Sequence, residues 1–294
     1  MSRSLALILV LVVLLAGSGC SRVGFAYGQA ERFIAWTLDS YIPLDDRQSA
    51  ALDRQLADFK QWHCRTQVAG YAAWLRQAGT ELREGVAATQ VEARFANVRF
   101  FGRVMAEEAG PRLAGLARSL TDKQLDELSR SMERSNRKFR EDFVDVAYPR
   151  VAAARAERTR ERLEFWVGPL GREQRLAVQR WSDSLEPSQV EMLASRERWQ
   201  KALQDALRAR RQEHESLPTR LQDLLGEPDR WTTPALQATL ERNRARTFAM
   251  VAELSALMTP SQKRRVAEKT ASVAADLEAL ACPVPARKTA GVSP

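Results

Sequence analysis

The chain has 294 residues, with 45 Lys and Arg against 37 Asp and Glu, a formal charge of +8 and a pI near 9.8. That length removes any need for a disulfide-dependent miniature fold and allows one large or two modest hydrophobic cores. Gly and Pro are scarce, at 14 and 12 residues, and β-branched runs are absent after the first twenty positions, so the composition excludes a sheet-rich protein and predicts an all-α one.

In chain order, the first element is the segment 1–20, MSRSLALILVLVVLLAGSGC. Arg3 and the amino terminus supply positive charge, Leu5 to Ala16 are apolar, and Gly17, Ser18 and Gly19 lead into Cys20, the layout of a secretory signal. As a helix the apolar run reaches ~18 Å, short of a hydrocarbon core of about 30 Å. The segment resembles a bacterial lipoprotein signal. That resemblance implies removal of residues 1–19, attachment of diacylglycerol to the Cys20 thiol and acylation of the new amino terminus. Gly17 stands where those signals prefer leucine. Release of a soluble periplasmic protein and retention of an uncleaved anchor are the alternatives. In that family an aspartate after the cysteine holds the product at the inner membrane, and here the residue is Ser21, which implies the outer membrane and its periplasmic face. Export sets aside nucleic acid as the partner of the basic charge. Anionic envelope surfaces stay open, as does a solvated face of interspersed Arg and Glu.

Residues 20–43 are expected to form the lipidated cysteine and a membrane-proximal helix from about residue 24 to Tyr41. Residues 44–282 then read as a bundle of long antiparallel helices, and residues 283–294 as a disordered tail. One local pattern, an apolar residue, a capping-type residue, two more and a glutamine, occurs five times, ending at Gln48, Gln124, Gln174, Gln189 and Gln262. Asp45, Thr121 and Thr259 are good N-caps, the glutamine reaches back to the cap, and the preceding Leu or Met staples the start. Gly171 and Glu186 are weaker caps, while Pro187 and Pro260 suit a first helical position. Between these starts the apolar spacing is helical, as in Leu52, Leu56, Phe59 and His63, or Val190, Leu193, Leu203 and Leu207. Gly110-Pro111 is expected to interrupt one helix, Pro149 to kink or restart another, and residues 216–234 to be the clearest loop. The separations from Gln48 to Gln124 and from Gln189 to Gln262 are similar, which suggests a diverged internal duplication.

The chemistry on offer is thin. His63 and His214 lie in different predicted elements, so no imidazole pair has metal-ligand spacing, and His63 beside Trp62 reads as a hydrogen-bonded core residue. No nucleophile elbow, phosphate loop or dinucleotide fingerprint is present. No catalytic residue, metal or cofactor is expected, and the seven tryptophans read as packing. With Cys20 committed to lipid, Cys64 and Cys282 allow one intramolecular bridge in an oxidising compartment, with free thiols or an intermolecular pair as alternatives. Arg155, Arg158, Arg160 and Arg162 form a basic arm of candidate anion or partner contacts.

The signal, the aromatic early helix with Phe33, Trp36 and Tyr41, the recurrent glutamine-capped starts, and Trp62-His63 followed by Tyr71 together resemble a group of proteobacterial outer-membrane lipoproteins built on a domain of unknown function. The resemblance implies an address and no activity. Leu120-Thr121-Asp122-Lys123-Gln124 also resembles the Leu-Thr-x-x-Gln motif of Spy-type periplasmic chaperones, small helical cradles with basic concave surfaces. A non-enzymatic, membrane-attached binding or structural module with an envelope partner is therefore the leading expectation. A Spy-like holdase or stress sensor with a basic groove around residues 121–165 is the alternative.

Overall fold

Eleven α-helices and no strand make up the described part of the chain, which in this computed structural model is residues 22–283 apart from 211, 213 and 214. The signal-like segment, Cys20, His214 and residues 284–294 lie outside the described residues. In order the helices are α1 (Arg22–Asp39), α2 (Asp46–Thr66), α3 (Val68–Glu84), α4 (Ala88–Ser119) and α5 (Asp122–Phe139). They continue as α6 (Tyr148–Val167), α7 (Arg172–Ser184), α8 (Gln189–Arg208), α9 (Leu217–Gly226), α10 (Pro234–Ala256) and α11 (Pro260–Leu280). A π-turn (Arg140–Val144) joins α5 to α6, and a 3-10 turn (Pro228–Trp231) joins α9 to α10.

The closest pairing joins an early helix to the last one. α3 and α11 run antiparallel: Cys64 and Cys282 are bridged at one end, Gly79 meets Thr270 midway, and Ser255, just before α11, contacts Leu82 and Val86 at the other. Val68, Ala72 and Gly79 on α3 face Val266, Thr270 and Ala274 on α11, all buried. A Cβ on Gly79 would lie 2.0 Å from Thr270 Oγ1, so the crossing requires glycine there. α4 and α9 pack the same way. Ala106, Gly110, Ala114 and Ala117 form a small-residue face against Leu217, Leu221 and Leu224, and Gly110 lies against the backbone of Gln222.

This packing overrides two expectations. Pro111 sits inside an unbroken α4 instead of interrupting it, because the small-residue face on both sides of the proline is seated on α9. Residues 216–234 are not a loop. Leu217, Leu221 and Leu224 recur at helical spacing, and Pro218 and Pro228 occupy the first turns of α9 and the 3-10 turn, where proline is tolerated. Pro149 restarts a helix, as the first-turn residue of α6. Val190, expected on an apolar stripe, is exposed. Buried apolar side chains form two main clusters. One gathers Ala114, Leu120, Leu125, Leu128, Leu207 and Leu217 from α4, α5, α8 and α9, and the other gathers Ala156, Leu170, Val178 and Leu254 from α6, α7 and α10.

Candidate functional site

Four of the five glutamines end in pairs, and both pairs are built alike. Gln48 and Gln124 stand at the third positions of α2 and α5. Each Oε1 accepts from the backbone N–H of its own cap, Asp45 at 3.0 Å and Thr121 at 2.8 Å. That fixes the amide orientation and turns each Nε2 outward. The two side chains then donate to one another, at 3.1 Å from Gln48 and 2.6 Å from Gln124. Each Nε2 also donates to the carbonyl two residues before the opposite cap, Gln48 to Ser119 O at 2.9 Å and Gln124 to Pro43 O at 2.7 Å.

Gln174 and Gln262 repeat every bond. Their amides accept from Gly171 N–H and Thr259 N–H, donate to one another at 3.0 Å both ways, and donate to Leu257 O and Pro169 O. Again the carbonyls lie two residues before the opposite cap. Each clasp therefore satisfies both carboxamides and holds two helix N-termini side by side. Abutting N-termini bring two partial positive ends together, and Asp46, Asp122 and Glu173 in the first turns offset them. The separation is 88 residues in this clasp against 76 in the first, and Gln189, whose spacing to Gln262 suggested a duplicated unit, belongs to neither clasp. Gln189 misses because α8 begins at Gln189 itself, so it reaches only Ser188 N–H. The weak cap Glu186 has another task. Asn243 brackets its backbone, accepting from Glu186 N–H at 2.9 Å and donating to Glu186 O at 3.0 Å, while Arg242 and Arg246 bind its carboxylate. Hydrogen bonding to Arg242 foremost lowers that carboxyl to about 2.

Two contributors carry no strong sequence signal. Gln90 returns to Ala87 N–H at 2.8 Å in the same capping geometry, hidden because alanine at the cap offers no side-chain acceptor. Arg210, only 2% exposed, bonds Leu120 O at 2.8 Å, Leu207 O at 3.0 Å and Asp122 Oδ1 at 2.7 Å. It ends α8 against the carbonyl that closes α4, directly beside the first clasp. An arginine among Arg208, Arg211 and the charged residues that follow carries no sequence mark of burial.

A second constellation surrounds His63. Tyr27 Oη and His63 Nδ1 are 3.0 Å apart, Lys60 pairs with Glu31 at 2.5 Å, and the Phe59, Trp62 and Tyr71 rings pack around the imidazole. Burial lowers His63 to about 4 and raises Tyr27 and Tyr71 to about 12, with smaller contributions from Glu31 on Tyr27 and from Tyr27 on Tyr71. At neutral pH the imidazole is uncharged and the phenols protonated. That arrangement locks α1 onto α2. No three His, Cys, Asp or Glu side chains are grouped to hold a metal among the described residues.

The cysteines and the basic arm are placed as follows. Cys64 and Cys282 are disulfide-bonded with Cα atoms 5.1 Å apart, and Cys282 N–H donates to Cys64 O. The four arginines of α6 do not form one surface. Arg155 is half-buried, donating to Ser182 Oγ, Ser182 O and Tyr148 Oη and lying over the Tyr148 ring. Arg160 is half-buried and paired with Glu157, whereas Arg158 and Arg162 are exposed. Arg155 thus spends its guanidinium on packing α6 against α7. Shallow hollows occur beside Trp36, bounded by Asp39, Leu44 and Asp53, and between Arg99, Arg103 and the 3-10 turn, of about 220 and 310 Å³. No helix among the described residues is long and apolar enough to cross a membrane.

Fold and site define an all-α protein organised on reciprocal glutamine clasps and one long-range disulfide. Residues 40–235 match DUF6279, a family of unknown function, and the chain belongs to that family. The matched span holds the whole first clasp, Cys64 and Gln174, and stops before Gln262 and Cys282. No curated protein and no solved structure matches the chain.

Proposed function

We propose that this protein is a lipid-anchored helical module of the bacterial envelope, held on the periplasmic face of the outer membrane through Cys20, and that it acts by binding or bracing an envelope component and not as an enzyme. The Cys64–Cys282 bridge carries the reading, because disulfides persist in exported proteins and are rare in reducing compartments. The signal-like segment ending at Cys20 supplies the route of export and the means of attachment. Both clasps and the bridge stiffen the helices against one another, which suits a scaffold that offers fixed faces to a partner. Radiolabelled palmitate incorporation with a Cys20→Ala control, followed by membrane fractionation, tests the attachment. Label on the wild-type chain alone, in outer-membrane fractions, is the expected result, and label independent of Cys20 refutes it. Crosslinking at native expression should recover a reproducible envelope partner.

A Spy-like holdase is the second reading. It draws on the Leu-Thr-x-x-Gln copy at residues 120–124, which builds half of the first clasp, and on Phe95, Val98 and Phe100, which α4 leaves exposed. Near-stoichiometric suppression of aggregation of an unfolded client by the purified protein would support it, and no suppression at tenfold excess would remove it.

A further inference from the structure

α1 packs one side on the bundle and leaves two large aromatics exposed on the other. Toward the bundle it buries Ala26, bonds Tyr27 to His63 and packs Leu38 against the core around Leu120. The opposite side carries Phe25, Arg32 and Trp36, which at helical spacing fall within about 40° of one another, the two aromatics about 16 Å apart along the axis. Phe25 is 65% and Trp36 67% exposed, and the Phe33 ring borders Trp36 at 6.0 Å. One apolar face of a surface helix packs on its core. A second, aromatic one left in water is unfavourable until something covers it.

The tether says what covers it. α1 includes Arg22, and in the sequence only Ser21 stands between Arg22 and Cys20, a connection that spans at most about 7 Å. Acyl chains on Cys20 place the first turn of α1 at the lipid headgroups. The Tyr27–His63 bond and the Lys60–Glu31 ion pair hold the helix on the bundle, so the outward stripe cannot turn away. Trp and Phe beside a guanidinium are the side chains favoured at the interface, where the rings enter the acyl boundary and arginine meets phosphate. Resting on the proposed acylation of Cys20, we infer that the outer face of α1, through Phe25, Arg32 and Trp36, lies on the phospholipid surface. The stripe is a second attachment signal that sets the orientation of the bundle, where the acyl chains alone would leave it free to swivel.

The test uses the mature lipoprotein reconstituted on phosphatidylethanolamine and phosphatidylglycerol vesicles with brominated acyl chains. Brominated lipid should quench the wild-type protein more than Trp36→Phe, because the other six tryptophans stay with the bundle. In a Cys20→Ala background, Phe25→Ser/Trp36→Ser should weaken vesicle flotation about tenfold or more. Thermal unfolding should stay unchanged, since both side chains are exposed. Equal quenching of wild type and Trp36→Phe, with flotation still dependent on Cys20, overturns the contact while the anchor stands. Trp36-dependent quenching by a chain that takes up no palmitate supports the contact while the anchor reading fails. A lipid-free dimer abolished by Phe25→Ser/Trp36→Ser overturns the contact in favour of a second copy of the chain.

Discussion

Replacing Gln124 by alanine removes the acceptor of Thr121 N–H at 2.8 Å, the donor to Pro43 O at 2.7 Å and both bonds to Gln48. Each such bond contributes about 1 kcal/mol net, and Gln48, 4% exposed, is left with half its capacity unmet. Partial access of water at Gln124 softens the loss, so Gln124→Ala should lower the unfolding free energy by about 3 kcal/mol, and Gln48→Ala by a similar amount. The mutual pair is broken by either change and can be lost only once. Gln48→Ala/Gln124→Ala should therefore fall short of the sum by about 1–2 kcal/mol in a double-mutant cycle. Urea unfolding followed by far-UV circular dichroism measures all four species. The same coupling is expected for Gln174 with Gln262, and none for Gln48 with Gln174. Gln189→Ala and Gln90→Ala, which break only a local cap, should each lower stability by less than about 1 kcal/mol. Additivity of Gln48→Ala and Gln124→Ala within about 0.5 kcal/mol would refute the clasp as an energetic unit and leave two independent caps.

The Cys64–Cys282 bridge closes a separation of 218 residues, for which the loop-entropy model gives about 5 kcal/mol. Cys64→Ser/Cys282→Ser should lower the thermal midpoint, and mass spectrometry of unreduced protein should recover the linked peptides. His63 is held near 4 against 6.5 unfolded, so below 6.5 the unfolded chain binds a proton that the fold refuses. Stability is then lost as pH falls from 6.5 to about 4, by about 3 kcal/mol from the gap alone and about 2 after allowing for the exposed edge of the ring. His63→Gln should flatten that window in a pH series of urea melts. Arg210→Met leaves Leu120 O and Leu207 O without a side-chain partner in a buried position, and a loss of about 3 kcal/mol or more is expected in the same unfolding assay. Gly79→Ala forces a Cβ into Thr270 and should destabilise by about 1–3 kcal/mol, read as a drop in midpoint.

The amino-acid sequence by itself determined the helical class, most helix starts and the chemistry of their caps, because capping is settled within four residues. Asp45, Thr121 and Thr259 cap where their neighbours say they must, and Pro149 opens a helix for the same local reason. It also marked the four clasp glutamines, although only as caps. Tertiary structure decided which glutamine meets which, since a carboxamide's second pair of bonds depends on a helix end many residues away; Gln262 meets Gln174, and Gln189 stays a local cap. The same holds for Pro111 inside α4 and for α9 where a loop was expected, both fixed by small residues that let two backbones approach. Arg210 became a buried cap, and Trp36, one tryptophan among seven in the sequence, stands outside the core, because burial belongs to the assembled surface and not to the residue.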